Sequence, residues 1–252
     1  MEFDDIAHRL DTARARRTAV TPFSDTAPDF DVGAGYHVQR RRRAGRALAG
    51  WKLALTSRAK QRQVGLDAAM YGFLGRDDAL APGQALNVGS LIAPRVEPEL
   101  VFIMGDDIAG PGITGAQVLA ATAEVAAGIE VIDSRYLDYR FSPGDLAADN
   151  ASAANFLIGP GRPPQDLELP VLGVVLAKNG ELVDTATGAA VMGHPAAAVA
   201  WLVRRLHTQE GLGLRRGQIV FSGGLTGAVP VGAADTVTAE FAHLGRLTLD
   251  CR

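Results

Sequence analysis

Pro94-Arg95-Val96-Glu97-Pro98-Glu99-Leu100-Val101-Phe102-Ile103-Met104 sets two acids at the head of an apolar run. In a β-strand successive side chains alternate faces, so Glu97 and Glu99 point the same way and Pro98 the other. Pro98 has no N–H to give to a ladder, which predicts a sheet edge or the start of a strand. Like charges about 4 Å apart repel by about 4 kcal/mol at an effective dielectric of about 20. Either one carboxyl carries a proton or a cation lies between them. A third acid occurs in Gly128-Ile129-Glu130-Val131-Ile132-Asp133-Ser134-Arg135, flanked by aliphatic residues where a solvated charge is out of place. Two readings stand at this point. Glu97 and Glu99 form a solvent-facing pair while Arg135 or Arg95 neutralises Glu130, or the three acids form an oxygen-only ligand set. With no His or Cys among them, such a set favours Mg²⁺ or Mn²⁺ over zinc.

Outward from that stretch, short apolar runs bounded by Gly, Pro and Asp predict strands. They are Leu91-Ile92-Ala93, the runs at 99–104, 125–132, 172–177, 218–222 and 237–241, and Leu247-Thr248-Leu249. Helices are predicted at 115–126 and 195–208, with Ala198, Trp201, Leu202 and Leu206 on one face of the second. His194 is read as a cap of that helix. Towards the N-terminus, Phe3, Ile6, Ala7, Leu10 and Ala13 have helical spacing until Pro22, and a second helix is expected over 36–48. The arginines at 40–43 read as its solvated face. Gly50-Trp51-Lys52-Leu53-Ala54-Leu55 reads as a buried strand, 57–64 as helical, and the stretch around Gly72, Gly75 and Pro82 as turns. The expected organisation is a helical part over 1–82 and a strand-rich part over 83–252 that carries the chemistry.

At 252 residues the chain can bury roughly 70–75% of its unfolded surface and needs no staple. A net charge of −3 gives no electrostatic case for nucleic acid or an anionic membrane. The one cysteine, Cys251, excludes an intrachain disulfide and a cysteine metal cluster. No export-type apolar run and no stretch approaching ~20 apolar residues occurs, so a cytoplasmic location and no membrane span are expected.

Taken in order, several segments resemble the hydratase/decarboxylase branch of the fumarylacetoacetate hydrolase superfamily. They are Gly50-Trp51-Lys52, Leu55-Thr56-Ser57, Arg95-Val96-Glu97-Pro98-Glu99, the Ile129–Arg135 stretch, Ala148-Asp149-Asn150-Ala151-Ser152, Ala200-Trp201-Leu202 and Ser222-Gly223-Gly224-Leu225-Thr226. The resemblance implies an α+β fold, a mixed β-sandwich roll with flanking helices and a small helical N-terminal part. It implies Glu97, Glu99 and Glu130 as ligands of Mg²⁺, with Mn²⁺ possible. The implied reaction is decarboxylation of 2-oxohex-3-enedioate (4-oxalocrotonate) or a close analogue to a 2-hydroxydienoate through a metal-stabilised dienolate. Hydration of 2-hydroxypenta-2,4-dienoate is the alternative, and hydrolysis or tautomerisation of a related 2-oxo acid a further one. A chain that only stabilises a hydratase without turning over is another.

Met70 stands where the hydratases carry an aspartate, and Thr56-Ser57-Arg58-Ala59-Lys60 and Gly223-Gly224 look like the decarboxylases. Three glutamates and one dication sum to −1, so a dianionic substrate needs a nearby base. Lys52, inside an apolar strand, is the expected catalytic group, binding the dienolate or moving a proton. Arg135, Asn150, Ser152 and Thr226 are expected to contact substrate, with Asp133 and Arg95 supporting the ligands from behind. A homo-oligomer, and a complex with a partner hydratase, are also implied.

Overall fold

The computed structural model describes residues 2–57, 61–62 and 68–252. The predicted helical stretch at 57–64 and the Arg58-Ala59-Lys60 signature lie largely outside the described residues. Two sheets share one core. The larger has the order β2-β1-β8-β3-β4-β5, with β9 pairing β3 beside β8. Its strands are β1 (Leu48–Ala54), β2 (Met70–Gly75), β3 (Arg95–Met104), β4 (Thr122–Ile132), β5 (Ala153–Arg162), β8 (Ile219–Phe221) and β9 (Val229–Pro230). The smaller runs β11-β10-β6-β7, from β6 (Gly173–Lys178), β7 (Glu181–Thr187), β10 (Thr236–Phe241) and β11 (Gly245–Asp250). β11 lies against β4 and β5, closing the roll. The expected α+β class is what the chain adopts.

Helices cover the outside: α1 (Phe3–Arg16), α2 (Val32–Arg43), α3 (Gly115–Ala121), α4 (Pro143–Ala148) and α5 (Pro195–Glu210). Their limits follow local chemistry. Asp31 Oδ1 accepts from Ala34 N at 2.8 Å and starts α2 four residues before the expected position. Thr114 with Gln117, and Ser142 with Asp145, form capping boxes on α3 and α4. His194 Nδ1 accepts from Ala196 N at 3.0 Å, the expected cap, and Gly211 in the left-handed region ends α5. α3 stops at Ala121 and the chain turns directly into β4 at Thr122, five residues short of the expected helix end. α1, α2 and α4 enclose a second small core of Ile6, Leu10, Phe23, Phe30, Val38 and Tyr136. β1 and β2 belong to the main sheet, so the expected division at 82/83 passes through it.

Period-two alternation decides which face carries the site. On β3, Val96, Leu100, Phe102 and Met104 enter the main core. The odd-numbered side chains face the other way, with Val101 packed beside Leu74, Ala126, Phe156 and Phe221. Pro98 is not at a sheet edge: β3 is an interior strand, paired with β4 throughout. The Pro98 carbonyl accepts from Leu225 N at 2.9 Å, outside any ladder, in the interval between the β9 and β8 pairings. A residue's N and C=O share one side of an antiparallel strand. The missing N–H therefore faces that interval and breaks no ladder.

Candidate metal centre

Glu97 and Glu130 are direct cross-strand partners on β3 and β4. With Glu99 one period further along β3, the carboxylates converge so that one oxygen from each lies within 4.8 Å of the others. Glu99 and Glu130 are fully buried and Glu97 is half-buried. Lys52 comes from β1, with β8 and β3 between it and β4. A flat sheet with strands about 4.8 Å apart would separate them by at least about 14 Å at the backbone, and further because Lys52 is in register with Ala126 and not with Glu130. Two long side chains and the curl of the sheet close that gap, and Lys52 Nζ lies 3.0 Å from Glu130 Oε2. The ammonium also donates to the Ala151 carbonyl at 2.9 Å.

Two of the three carboxylates keep buried oxygens without a hydrogen-bond partner among the described residues. Glu99 Oε2 accepts from Gly223 N at 2.6 Å, while Glu99 Oε1 and Glu130 Oε1 have no hydrogen-bond partner among the described residues. Burial drives the Glu99 carboxyl well above the ordinary glutamate range, Glu130 adding repulsion and Lys52 opposing it. Burial raises Glu130 too, against the pull of Lys52. Orphaned buried oxygens, all carboxylate and convergent, are what a hard dication would satisfy, so the residues fit Mg²⁺. The solvent-facing reading of the acids fails on this burial, and neither Arg95 nor Arg135 reaches Glu130.

The remaining expected residues divide. Arg135 is buried and committed elsewhere. It pairs with Asp149 and donates from Nη1 to the carbonyls of Asp133 at 2.6 Å and Ala153 at 3.0 Å. It ties two loops together, a structural task where the sequence reading expected a contact with substrate. Asp133 does not orient Glu130; its carboxylate accepts from Ile92 N and Ala93 N, the latter at 2.7 Å, and fixes the loop before β3. That loop was the expected strand 91–93. Arg95 stacks over Tyr139, with Cζ 4.1 Å from the ring centroid. Asn150 spends its amide on Phe73, accepting from N at 2.8 Å and donating to O at 2.9 Å. Ser152 lies beside the Lys52 acceptor with its buried hydroxyl unpartnered. Thr226, also buried, donates to the Gly227 carbonyl at 3.1 Å. The arginine run is not a uniformly solvated face either. Arg42 is buried against Asp11, Asp149 and the Ala148 carbonyl, and Arg43 against Glu210 and Trp51.

Three groups went unassigned in the sequence. Gly223 (φ +115°) delivers its N–H to Glu99, and a Cβ there would lie 2.2 Å from Thr56 Oγ1. The hydroxyls of Thr56 and Ser222 are buried without partners among the described residues. Small polar residues at the end of the apolar strand in Leu55-Thr56-Ser57, and beside glycines in Ser222-Gly223-Gly224, are the available signal. A cavity of about 450 Å³ opens at Thr56, lined also by Ser57, Gln61, Ala189, Met192 and Gly193.

The family description "Fumarylacetoacetate (FAA) hydrolase C-terminal" matches residues 44–251. The chain belongs to the fumarylacetoacetate hydrolase family. Within that family it is 38% identical over 246 residues to the 4-oxalocrotonate decarboxylase of Pseudomonas sp. (strain CF600), covering 95% of this chain and 92% of that one. It is 37% identical over 247 residues to the 2-keto-4-pentenoate hydratase of Burkholderia vietnamiensis (strain G4 / LMG 22486), covering 95% and 94%. The 4-oxalocrotonate decarboxylase of Pseudomonas putida G7, solved with magnesium and adipate, superposes with a TM-score of 0.94. Identity there is 34%, over 99% of this chain and 97% of that one. Decarboxylase and hydratase are both lyases, and the family member described here is placed with them as a lyase with a divalent-metal site.

Proposed function

We propose that this protein is a Mg²⁺-dependent carboxy-lyase acting on 2-oxohex-3-enedioate (4-oxalocrotonate) or a close analogue. The observation that carries the reading is the convergent Glu97–Glu99–Glu130 cluster, two of its three acids fully buried, with Lys52 against it, in a chain 38% identical to a 4-oxalocrotonate decarboxylase. Glu97, Glu99 and Glu130 hold the dication. Bound there, Mg²⁺ supplies positive charge beside the C1 carboxylate and the C2 oxygen of the substrate. Loss of CO₂ breaks the C5–C6 bond, and its electron pair passes through the C3–C4 alkene to the C2 oxygen. Lys52 is the group of this chain placed to meet that charge. Its ammonium has three donors, of which Ala151 O takes one and Glu130 a second. The third meets no acceptor among the described residues and is available to the C2 oxygen, and delivery of its proton gives the 2-hydroxydienoate. Thr56, Ser152 and Ser222 offer buried hydroxyls to the substrate carboxylates.

Hydration of 2-hydroxypenta-2,4-dienoate is the second reading, favoured by the 37% identity to a 2-keto-4-pentenoate hydratase. Against it, Met70 opens β2 as a buried apolar side chain with no acid–base capacity. CO₂ release from 2-oxohex-3-enedioate, measured with Mg²⁺ and with EDTA, is the test. Metal-dependent release is expected; consumption of the dienoate without CO₂ release overturns the carboxy-lyase in favour of the hydratase. Among the described residues no helix is long and apolar enough to cross a membrane. A cytoplasmic homo-oligomer, with a partner hydratase as a further associate, completes the reading. Exposed Val171, Val175, Leu182 and Val183, clustered around the free edge strand β7, support assembly.

A further inference from the structure

The segment Asn150-Ala151-Ser152 has three consecutive residues in the left-handed region, at φ 57°, 49° and 59°. Asparagine enters that region readily; alanine and serine do so against a conformational penalty, and a run of them persists only where neighbours enforce it. β2 is the terminal strand of the main sheet, so its outer backbone groups have no ladder partner. Asn150 supplies one, using its side-chain amide as a further strand would: Oδ1 accepts from Phe73 N and Nδ2 donates to Phe73 O. From there the turn crosses β2 towards β1 and passes directly over Gly72, the register partner of Lys52. A Cβ on Gly72 would lie 2.5 Å from the Asn150 carbonyl oxygen, so only glycine lets the turn through. On the far side the Ala151 carbonyl receives Lys52 Nζ at 2.9 Å.

We infer that Asn150 is a positioning residue: its clamp on Phe73 holds the left-handed turn that aims the Ala151 carbonyl, and through it fixes the Lys52 ammonium. This rests on the catalytic part given to Lys52 above. It also gives Asn150 a different task from the substrate contact expected from sequence. Without the clamp the far flank of the turn stays pinned, by Asp133 N on the Ser152 carbonyl and Arg135 Nη1 on that of Ala153, while the Ala151 carbonyl loses its fixed aim on Lys52.

The test is a double-mutant cycle on the Mg²⁺-loaded enzyme. Asn150→Gly suits it, because glycine accepts the positive φ while deleting both arms of the clamp. Expected is a fall in kcat of about tenfold to a hundredfold, the range that a misplaced group produces, with KM and the Mg²⁺ half-saturation held within about twofold. In a Lys52→Met background the same substitution should cost no further kcat, since the residue through which it acts is gone. Melting temperatures of the four proteins give a readout free of turnover, and should show the two sites to be non-additive. If Asn150→Gly does not fold, Asn150→Asp, which keeps the acceptor for Phe73 N, carries the same cycle. Unchanged kcat in a folded variant, or effects that multiply in the double variant, overturns the inference. If the wild-type protein releases no CO₂, the proposed function falls, and the melting-temperature cycle alone decides the coupling of Asn150 to Lys52.

Discussion

The two sheets of this chain treat opposed charges in opposite ways. In the four-stranded sheet Glu240 on β10 faces Arg246 on β11 across the ladder, with Arg246 Nη2 2.6 Å from Glu240 Oε2 in solvent. Lys178 and Asp235 pair nearby at 2.8 Å. In the seven-stranded sheet the corresponding cross-strand position sets Glu97 against Glu130, with Glu99 alongside and the Lys52 ammonium shared between Glu130 and a backbone carbonyl. Opposite charges across a ladder support a sheet; like charges across one weaken it. The Glu99 and Glu130 oxygens that find no hydrogen-bond partner among the described residues, set beside a further like charge, are the feature that a bound cation would satisfy. The strained turn at 150–152 belongs to the same region, while the smaller sheet satisfies its charges at its surface.

Removing the electrostatic conflict should break that contrast most severely. Glu99→Gln keeps an acceptor for Gly223 N and deletes one buried acid. Loss of a ligand for the transition-state dication is expected to lower kcat by about a thousandfold or more. In EDTA the same variant should melt higher than the parent, by about 2–4 °C if about 1 kcal/mol of repulsion and desolvation is relieved. Paired turnover and thermal-melting measurements check both halves, and a variant that loses turnover and stability together removes the metal reading of the cluster.

A smaller but sharper effect concerns pH. Glu99 and Glu130 are raised above the ordinary glutamate value of 4.5 in the absence of a cation, by burial first. A raised carboxyl pKa contributes stability that is fully present below the unfolded value and is lost as pH climbs through the folded one. The metal-free protein should therefore lose stability from these groups as pH rises above about 4.5, the ordinary value. Mg²⁺, which binds the ionised carboxylates, should restore it and release protons. The rise in Tm on adding Mg²⁺ is expected to grow from pH 5 to pH 8, and calorimetry in buffers of different ionisation enthalpy should register the protons. A Mg²⁺ shift independent of pH contradicts protonated carboxyls in the free site.

The part of this arrangement that sequence made legible is the part written in local period. Alternation put Glu97 and Glu99 on one face, and apolar neighbours marked Glu130 and Lys52 as out of place in a strand. The strands missed lacked such a pattern. β2 reads as turns because Gly72 and Gly75 interrupt it, and β7 is exposed along almost its whole length. The change from α3 to β4 falls among alanines that suit either state until packing decides. Arg135 looked available for substrate because its partner Asp149 lies across a loop, and Arg42 looked solvated for the same reason. Least legible was the left-handed turn. Ala-Ser after Asn has no intrinsic reason to continue one; the edge of β2, the absence of a side chain at Gly72 and the Asp133 N–H on the Ser152 carbonyl hold it.

At the smaller sheet the same operations should do little. Glu240→Gln removes an exposed pair and is expected to move the Tm by at most about 2 °C with turnover unchanged. The faintest effect belongs to Asp235, whose carboxylate accepts from Lys178, from Asn179 Nδ2 at 2.8 Å and from Gly232 N at 2.8 Å. Those donors, Lys178 first, hold its pKa down at about 2. A depressed carboxylate contributes stability present above its ordinary value of 3.8 and lost as pH falls towards about 2. Asp235→Asn should flatten the acid limb of the unfolding profile between those values and leave melting at neutral pH and Mg²⁺ affinity nearly as they were. A substantial loss of Mg²⁺ affinity in that variant would mean that the two sheets are electrostatically coupled, and the contrast between a satisfied sheet and an unsatisfied one would have to be redrawn as one network.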